Sequence, residues 1–302
     1  MPPSRFSSLS TRHMPTDTED RIIPVFFLIL NTIPMKRITA YFSAILVALT
    51  FLTSCGSVPL TGRKQILLVS DQEVYEAGLT QYKAYMNEAQ LSSDTKKAAM
   101  VKSVGNKLAK ATEKYLKASG FESEISNLSW EFNLVRNNEV NAFCMPGGKI
   151  VVYDGLFAIA QTEAELAVVL GHEIGHAVAK HSNERMSQQI MTQYGMAILS
   201  AALSEKSDAV RTTATTVFGL GAQVGMMLPY SRKHEYEADY MGLVFMEIAG
   251  YDSKSAVDFW TKMSSGSSRN SDFLSTHPSD TKRVAEITRR IPEAQAVAQP
   301  LR

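Results

Sequence analysis

His172, Glu173 and His176 stand as H-E-x-x-H inside V-V-L-G-H-E-I-G-H-A-V-A-K-H-S at residues 168–182. On a helix the i,i+4 spacing puts both imidazoles on one face, one turn apart, as two arms of a zinc clamp. Glu173 follows the first histidine and aims its carboxylate at the open side of such a metal, where it can take a proton from water. The expectation is one Zn2+ per chain, with Glu173 as general base. Two imidazoles do not hold a catalytic zinc alone, so a third protein ligand is required.

The metzincin pattern would place glycine at 179 and histidine at 182, but the chain has Ala179 and Ser182. His181 lies five residues past His176, about 140° away around a straight helix, which excludes it there. The better source is S-R-K-H-E-Y-E-A-D at 231–239, opening a helix that runs to 249. Glu235 and Asp239 share a face, whereas Glu237 lies about 200° from Glu235 and faces away. One carboxylate can ligate while the other accepts a hydrogen bond from a ligand histidine and fixes its tautomer. An acidic, solvated helix start is the competing reading.

The elements that must position these groups can be read from periodicity. Thr162 opens the central helix with a capping box to Glu165, and apolar residues cover most of its circumference, so it should be buried. Two amphipathic helices precede it, at 71–89 and 95–118, with lysines on the solvent face of the second. Alternation at 130–136 and β-branched residues at 149–154 predict two strands paired as a hairpin. Asn141, Gly147 and Gly148 crowd the connection, and the glycine pair allows positive φ. That region is either a long turn or an edge offering N–H and C=O groups to an extended peptide. On the second reading Asn141, Gly147, Gly148, Ile150 and Val152 contact substrate. Cys144, a lone thiol in this loop, reads as an apolar filler.

Beyond the central helix, apolar runs at 191–203 and 209–228 suit core, a gating lid or a membrane-touching surface. A short helix at 253–263 carries Trp260 as a core anchor, a Ser/Gly-rich stretch at 264–270 reads as mobile, and residues 292–302 read as a disordered tail.

Together these motifs resemble the M48 family of zinc metallopeptidases. H-E-x-x-H is followed, after a long apolar insert, by S-R-x-x-E-x-E-A-D; N-A-F-x-x-P-G-G-K-I at 141–150, D-G-L at 154–156 and S-T-H-P at 275–278 with Arg283 also match. The resemblance covers residues 71–291. It implies an α+β fold, a mostly helical zincin-like (gluzincin) domain with a small β-sheet whose edge strand lies beside the active-site helix. It implies His172, His176 and Glu235 as zinc ligands, Glu173 as base, and Asp239 supporting the ligands from behind. It brings His277 toward the metal as a transition-state donor or reversible fourth ligand, and makes Arg232 and Arg283 structural supports, Arg283 pairing with an acid on the central helix. It favours the peptide-binding edge. Multiple membrane spans and a C-terminal helical-repeat domain, known in other branches, are absent from the pattern, so the protease-only lipoprotein branch fits best.

Composition agrees with one catalytic domain: 302 residues, 45% hydrophobic, 20% charged. Lys plus Arg at 31 against Asp plus Glu at 30 gives no reason to expect a nucleic-acid partner. From Met35 the chain reads M-K-R, an apolar run to 52 and L-T-S-C, which resembles a bacterial lipobox and predicts acylation of Cys55. The apolar run of about 15 residues falls short of the roughly 20 that span a bilayer. Residues 1–34 then read as a misassigned extension, 35–54 as a signal peptide and 55–70 as a lipidated tether. Gly56, not aspartate, follows the cysteine, so an outer-membrane location facing the periplasm is expected. The substrates would be misfolded or misassembled envelope proteins, with an envelope assembly or regulatory partner possible. A zinc-stabilised, chaperone-like binding lipoprotein is the alternative.

Overall fold

The structure is a computed structural model that describes residues 55–202, 231–264, 273–274, 277 and 281–302. The N-terminal extension, the signal segment, the apolar run at 209–228 and most of the Ser/Gly-rich stretch lie outside the described residues.

Residues expected to be a tether form an antiparallel hairpin, β1 (Cys55–Ser57) and β2 (Lys64–Ile66). Val58 is fully buried at its turn, and Thr61 and Arg63 reach carboxylates of distant helices, so this segment is part of the fold. Helices α1 (Asp71–Glu88) and α2 (Thr95–Ala118) follow as the periodicity predicts. Ser70 and Glu73 form a capping box on α1, Asp94 caps α2, and Val104, Leu108, Ala111 and Tyr115 bury one face of α2. A single turn, α3 (Glu122–Ile125), leads into the sheet.

The sheet departs from the predicted hairpin. Strands β3 (Glu131–Val135) and β5 (Lys149–Tyr153) run parallel, and β4 (Ala142–Met145) pairs antiparallel with β5, giving the order β3-β5-β4. The β4–β5 turn uses Gly147 and Gly148 at φ +87 and +81, as their spacing suggested. Because β5 is central, all five of its residues are buried. Its unbroken run I-V-V-Y, lacking polar alternation, is the pattern of a strand covered on both faces.

Helix α4 (Glu163–Val178) carries H-E-x-x-H, with Thr162 and Glu165 making the expected capping box. It ends at Val178: Lys180 takes φ +56, and a new helix, α5 (His181–Ala202), departs there. Helix α6 (Arg232–Ile248) packs against α4 through glycine contacts, since a Cβ on Gly171 would lie 3.2 Å from Gly242 Cα and one on Gly175 2.6 Å from Ala238 O. Helix α7 (Ser255–Met263) seats Trp260 at zero exposure.

The expected disordered tail is helix. Helix α8 (Thr281–Ala298) continues through Pro292 into a 3-10 turn at Gln299–Leu301. Val284, Ile287, Ile291, Ala294 and Ala298 recur at alternating steps of three and four, and the last four are buried. Sequence position near the terminus was the wrong guide, because that stripe has a core to pack on. Among the described residues no helix is long and apolar enough to cross a membrane. The fold is α+β and mostly helical, with edge strand β4 against the motif helix.

Candidate metal centre

Helices α4 and α6 bring His172, His176 and Glu235 together, and His277 joins them from the segment before α8. One donor atom from each lies within 4.8 Å of all the others, and all four residues are buried. His172 Nε2 is 3.0 Å from His176 Nε2 and 3.1 Å from His277 Nδ1. Glu235 Oε1 is 3.3 Å from His176 Nε2 and 3.2 Å from His277 Nδ1. Four donors set about 2.0–2.1 Å from one zinc stand about 3.3 Å apart at the corners of a tetrahedron. The spacing and the N/O chemistry of these donors therefore suit a zinc-sized cation.

Electrostatics point the same way. Burial alone would lower His172, but the Asp239 and Glu235 carboxylates outweigh it and raise it to about 9. His176 is pushed well below 6.5 by burial and by the charge on His172. Burial would raise Glu235, yet Arg283, His277 and His172 hold it well below the ordinary carboxylate range. Its Oε2 lies 3.0 Å from Arg283 Nη1 without well-formed hydrogen-bond geometry to any described residue.

The supporting groups lie behind the donors. His172 Nδ1 is 2.8 Å from Asp239 Oδ1, which fixes the tautomer that turns Nε2 toward the other donors. Arg283 is fully buried, donates to both Asp239 oxygens at 2.7 and 2.8 Å, and reaches the His277 carbonyl at 3.3 Å. Its guanidinium lies 3.4 Å from the Trp260 ring centre. The predicted carboxylate partner of Arg283 is thus on α6 rather than on the central helix, because Glu235 and Asp239 face it one turn apart.

Glu173 is 2% exposed, and burial raises its carboxyl pKa. Its Oε1 has no hydrogen-bond partner among the described residues and stands 3.5 Å from His277 Nε2. The main-chain N–H of Cys144 faces the same carboxylate, so edge strand β4 borders the site. Burial pushes the Cys144 thiol up, in keeping with a filler. A groove beside His176 is lined by Tyr75, Cys144, Met145, Pro146, Gly147 and Lys180.

The predicted peptide contacts divide. Gly147 lines the groove, but Gly148 packs under Trp130, where an added Cβ would lie 2.5 Å from the ring. Asn141 accepts from the Tyr153 amide at 3.1 Å and ties β4 to β5. Ile150 and Val152 have zero exposure, which removes them as peptide contacts. They point into the core because β5 is the central strand; the edge available is β4. Arg232 is exposed in the first turn of α6, which enters the core from His234 onward. Cys55 opens β1.

Sequence reasoning missed a second buried cluster. The turn at Lys180 brings His181 back, with Nδ1 2.8 Å from His176 Nδ1. His181 Nε2 is 3.0 Å from Glu237 Oε2, and Glu237 also accepts from Thr61 and Arg63. Arg63 forks onto Glu184 at 2.9 and 2.7 Å, and His234 lies 3.0 Å from Glu184. The usable signal was Lys180 followed by a polar helix start, because the angular exclusion of His181 holds only for an unbroken helix.

The sequence from 96 to 291 matches Peptidase family M48. It is 40% identical over 177 residues to the mitochondrial metalloendopeptidase OMA1 of Arabidopsis thaliana, covering 58% of this chain and 34% of that protein. The mitochondrial metalloendopeptidase OMA1 of Schizosaccharomyces pombe is 35% identical over 183 residues, 57% of this chain and 50% of that one. The beta-barrel assembly-enhancing protease of Escherichia coli is 31% identical over 170 residues, 53% of this chain and 34% of that one. The chain thus spans about a third to a half of the length of the first relatives it matches. Six of the relatives found are named as mitochondrial proteins, which overturns the expectation of an exported, lipid-anchored protein at an outer membrane. The lipobox resemblance rested on a few residues of a short segment, whereas those alignments extend over more than half the chain.

Proposed function

Because the chain belongs to peptidase family M48, we propose that it is a zinc-dependent endopeptidase acting on unfolded or misassembled polypeptides. The observation that carries this reading is the convergence of His172, His176 and Glu235 beside a buried glutamate with one oxygen unpartnered among the described residues. When bound, zinc supplies Lewis acidity toward a peptide carbonyl and acidifies water. His172, His176 and Glu235 would hold it, and Asp239 with Arg283 keeps His172 and Glu235 in place.

Glu173 takes the proton from the attacking water and returns it to the leaving amine. The free edge of β4 and the groove at Gly147 suit an extended substrate segment held by main-chain hydrogen bonds. That mode reads backbone rather than side chains and suits unfolded chains.

Zinc content tests the donor assignment. The parent should carry one zinc and Glu235→Ala little or none, with the loss of casein cleavage following the loss of metal. A Glu235→Ala protein that keeps full zinc would remove Glu235 from the ligand set.

A further inference from the structure

The two histidines of H-E-x-x-H are supported differently. His172 meets a carboxylate directly, at Asp239, whereas His176 meets a second imidazole. With Nε2, 3.0 and 3.3 Å from the other donors, read as a metal donor, the His176 proton sits on Nδ1. That N–H points at His181 Nδ1, 2.8 Å away, which therefore accepts. His181 then carries its own proton on Nε2 and donates it to Glu237 Oε2 at 3.0 Å. An ionised carboxylate only accepts, which fixes the direction of the line from His176 through His181 to Glu237. Glu237 is held in turn by Arg63 Nε at 2.7 Å and by the Thr61 hydroxyl, both from the β1–β2 turn.

We propose that His181 is a positioning residue that orients His176 through an imidazole relay ending on Glu237. The proposal rests on the reading of the four-residue cluster as a metal site. Helix α6 thereby serves both histidines of α4: Asp239 acts on one side directly, and Glu237, about 200° around the helix from Glu235, acts on the other through His181. The N-terminal hairpin closes the relay, so residues 174 and 176 positions apart in sequence share the orientation of one ligand.

Zinc affinity of the full chain, measured by competition with a chelating dye, tests this beside thermal unfolding of the metal-free protein. His181→Leu removes the acceptor and should weaken zinc binding about 10–100-fold. His181→Gln keeps an acceptor and a donor and should recover most of that loss. Glu237→Gln keeps a hydrogen-bond acceptor without charge and should fall between the parent and His181→Leu. A His181→Leu protein that unfolds earlier but binds zinc like the parent would overturn the relay and leave a packing role. If His181→Leu does not fold, Glu237→Gln decides, and parental zinc affinity in that variant overturns the proposal. A parent that binds no zinc would instead overturn the metal reading beneath it.

Discussion

At the scale of single residues, the donors on one helix face were readable and the one supplied by a loop was less so. His172, Glu173 and His176 declare themselves because i,i+4 spacing is rigid on a helix. Glu235 and Asp239 needed the same geometry on a second helix, and which of them ligates came from family resemblance. His277 has no periodic partner to mark it, yet its Nδ1 completes the four-donor group. Catalytic zinc sites keep one position open, whereas four protein donors close the ring. His277→Ala should therefore keep one zinc and cleave casein several-fold faster than the parent. An inactive but zinc-replete His277→Ala protein would show that His277 serves the reaction itself.

At the scale of elements, the site depends on how closely α4 and α6 approach. Gly171 and Gly175 sit one turn apart and directly precede the two histidines, so the face that brings the backbones together lies about 100° from the one that carries the ligands. A small-residue pair on a buried helix was visible in the sequence, but its partner surface on α6 was not. Gly175→Ala would place a methyl 2.6 Å from the Ala238 carbonyl. It should cost about 1–3 kcal/mol in urea unfolding and lower zinc affinity by parting the ligand helices. Parental stability and affinity would mean that this contact does not set the site. The sheet shows the opposite limit: two strands were placed correctly, but their pairing was not, because local alternation cannot say which strand lies between the others. Helix α8 was missed because residues 292–302 were read as a tail from their place near the terminus, although the helix runs on to Ala298.

At the scale of the whole molecule, the β1–β2 hairpin, α5 and α6 are fastened by Arg63, Glu184 and Glu237. Nothing local in residues 55–66 predicts that role, because its partners are more than 120 positions away. Burial would raise both carboxyls, but His234 and Arg63 on Glu184, and His181, Thr61 and Arg63 on Glu237, bring each from 4.5 to about 2. The folded state thus binds these protons less readily than the unfolded chain. The stability they contribute is complete above about pH 4.5 and is lost as the pH falls toward 2. Unfolding free energy should decline across that window, and Glu184→Gln should flatten the decline. An unchanged slope in that variant would show that the cluster does not govern acid stability. The central claim concerns what the assembled site does. Its most direct measurement is casein cleavage by zinc-replete Glu173→Gln beside the parent at matched zinc content. The general-base role predicts a loss of about 10²–10⁴-fold with zinc retained; equal cleavage by the two proteins would contradict it.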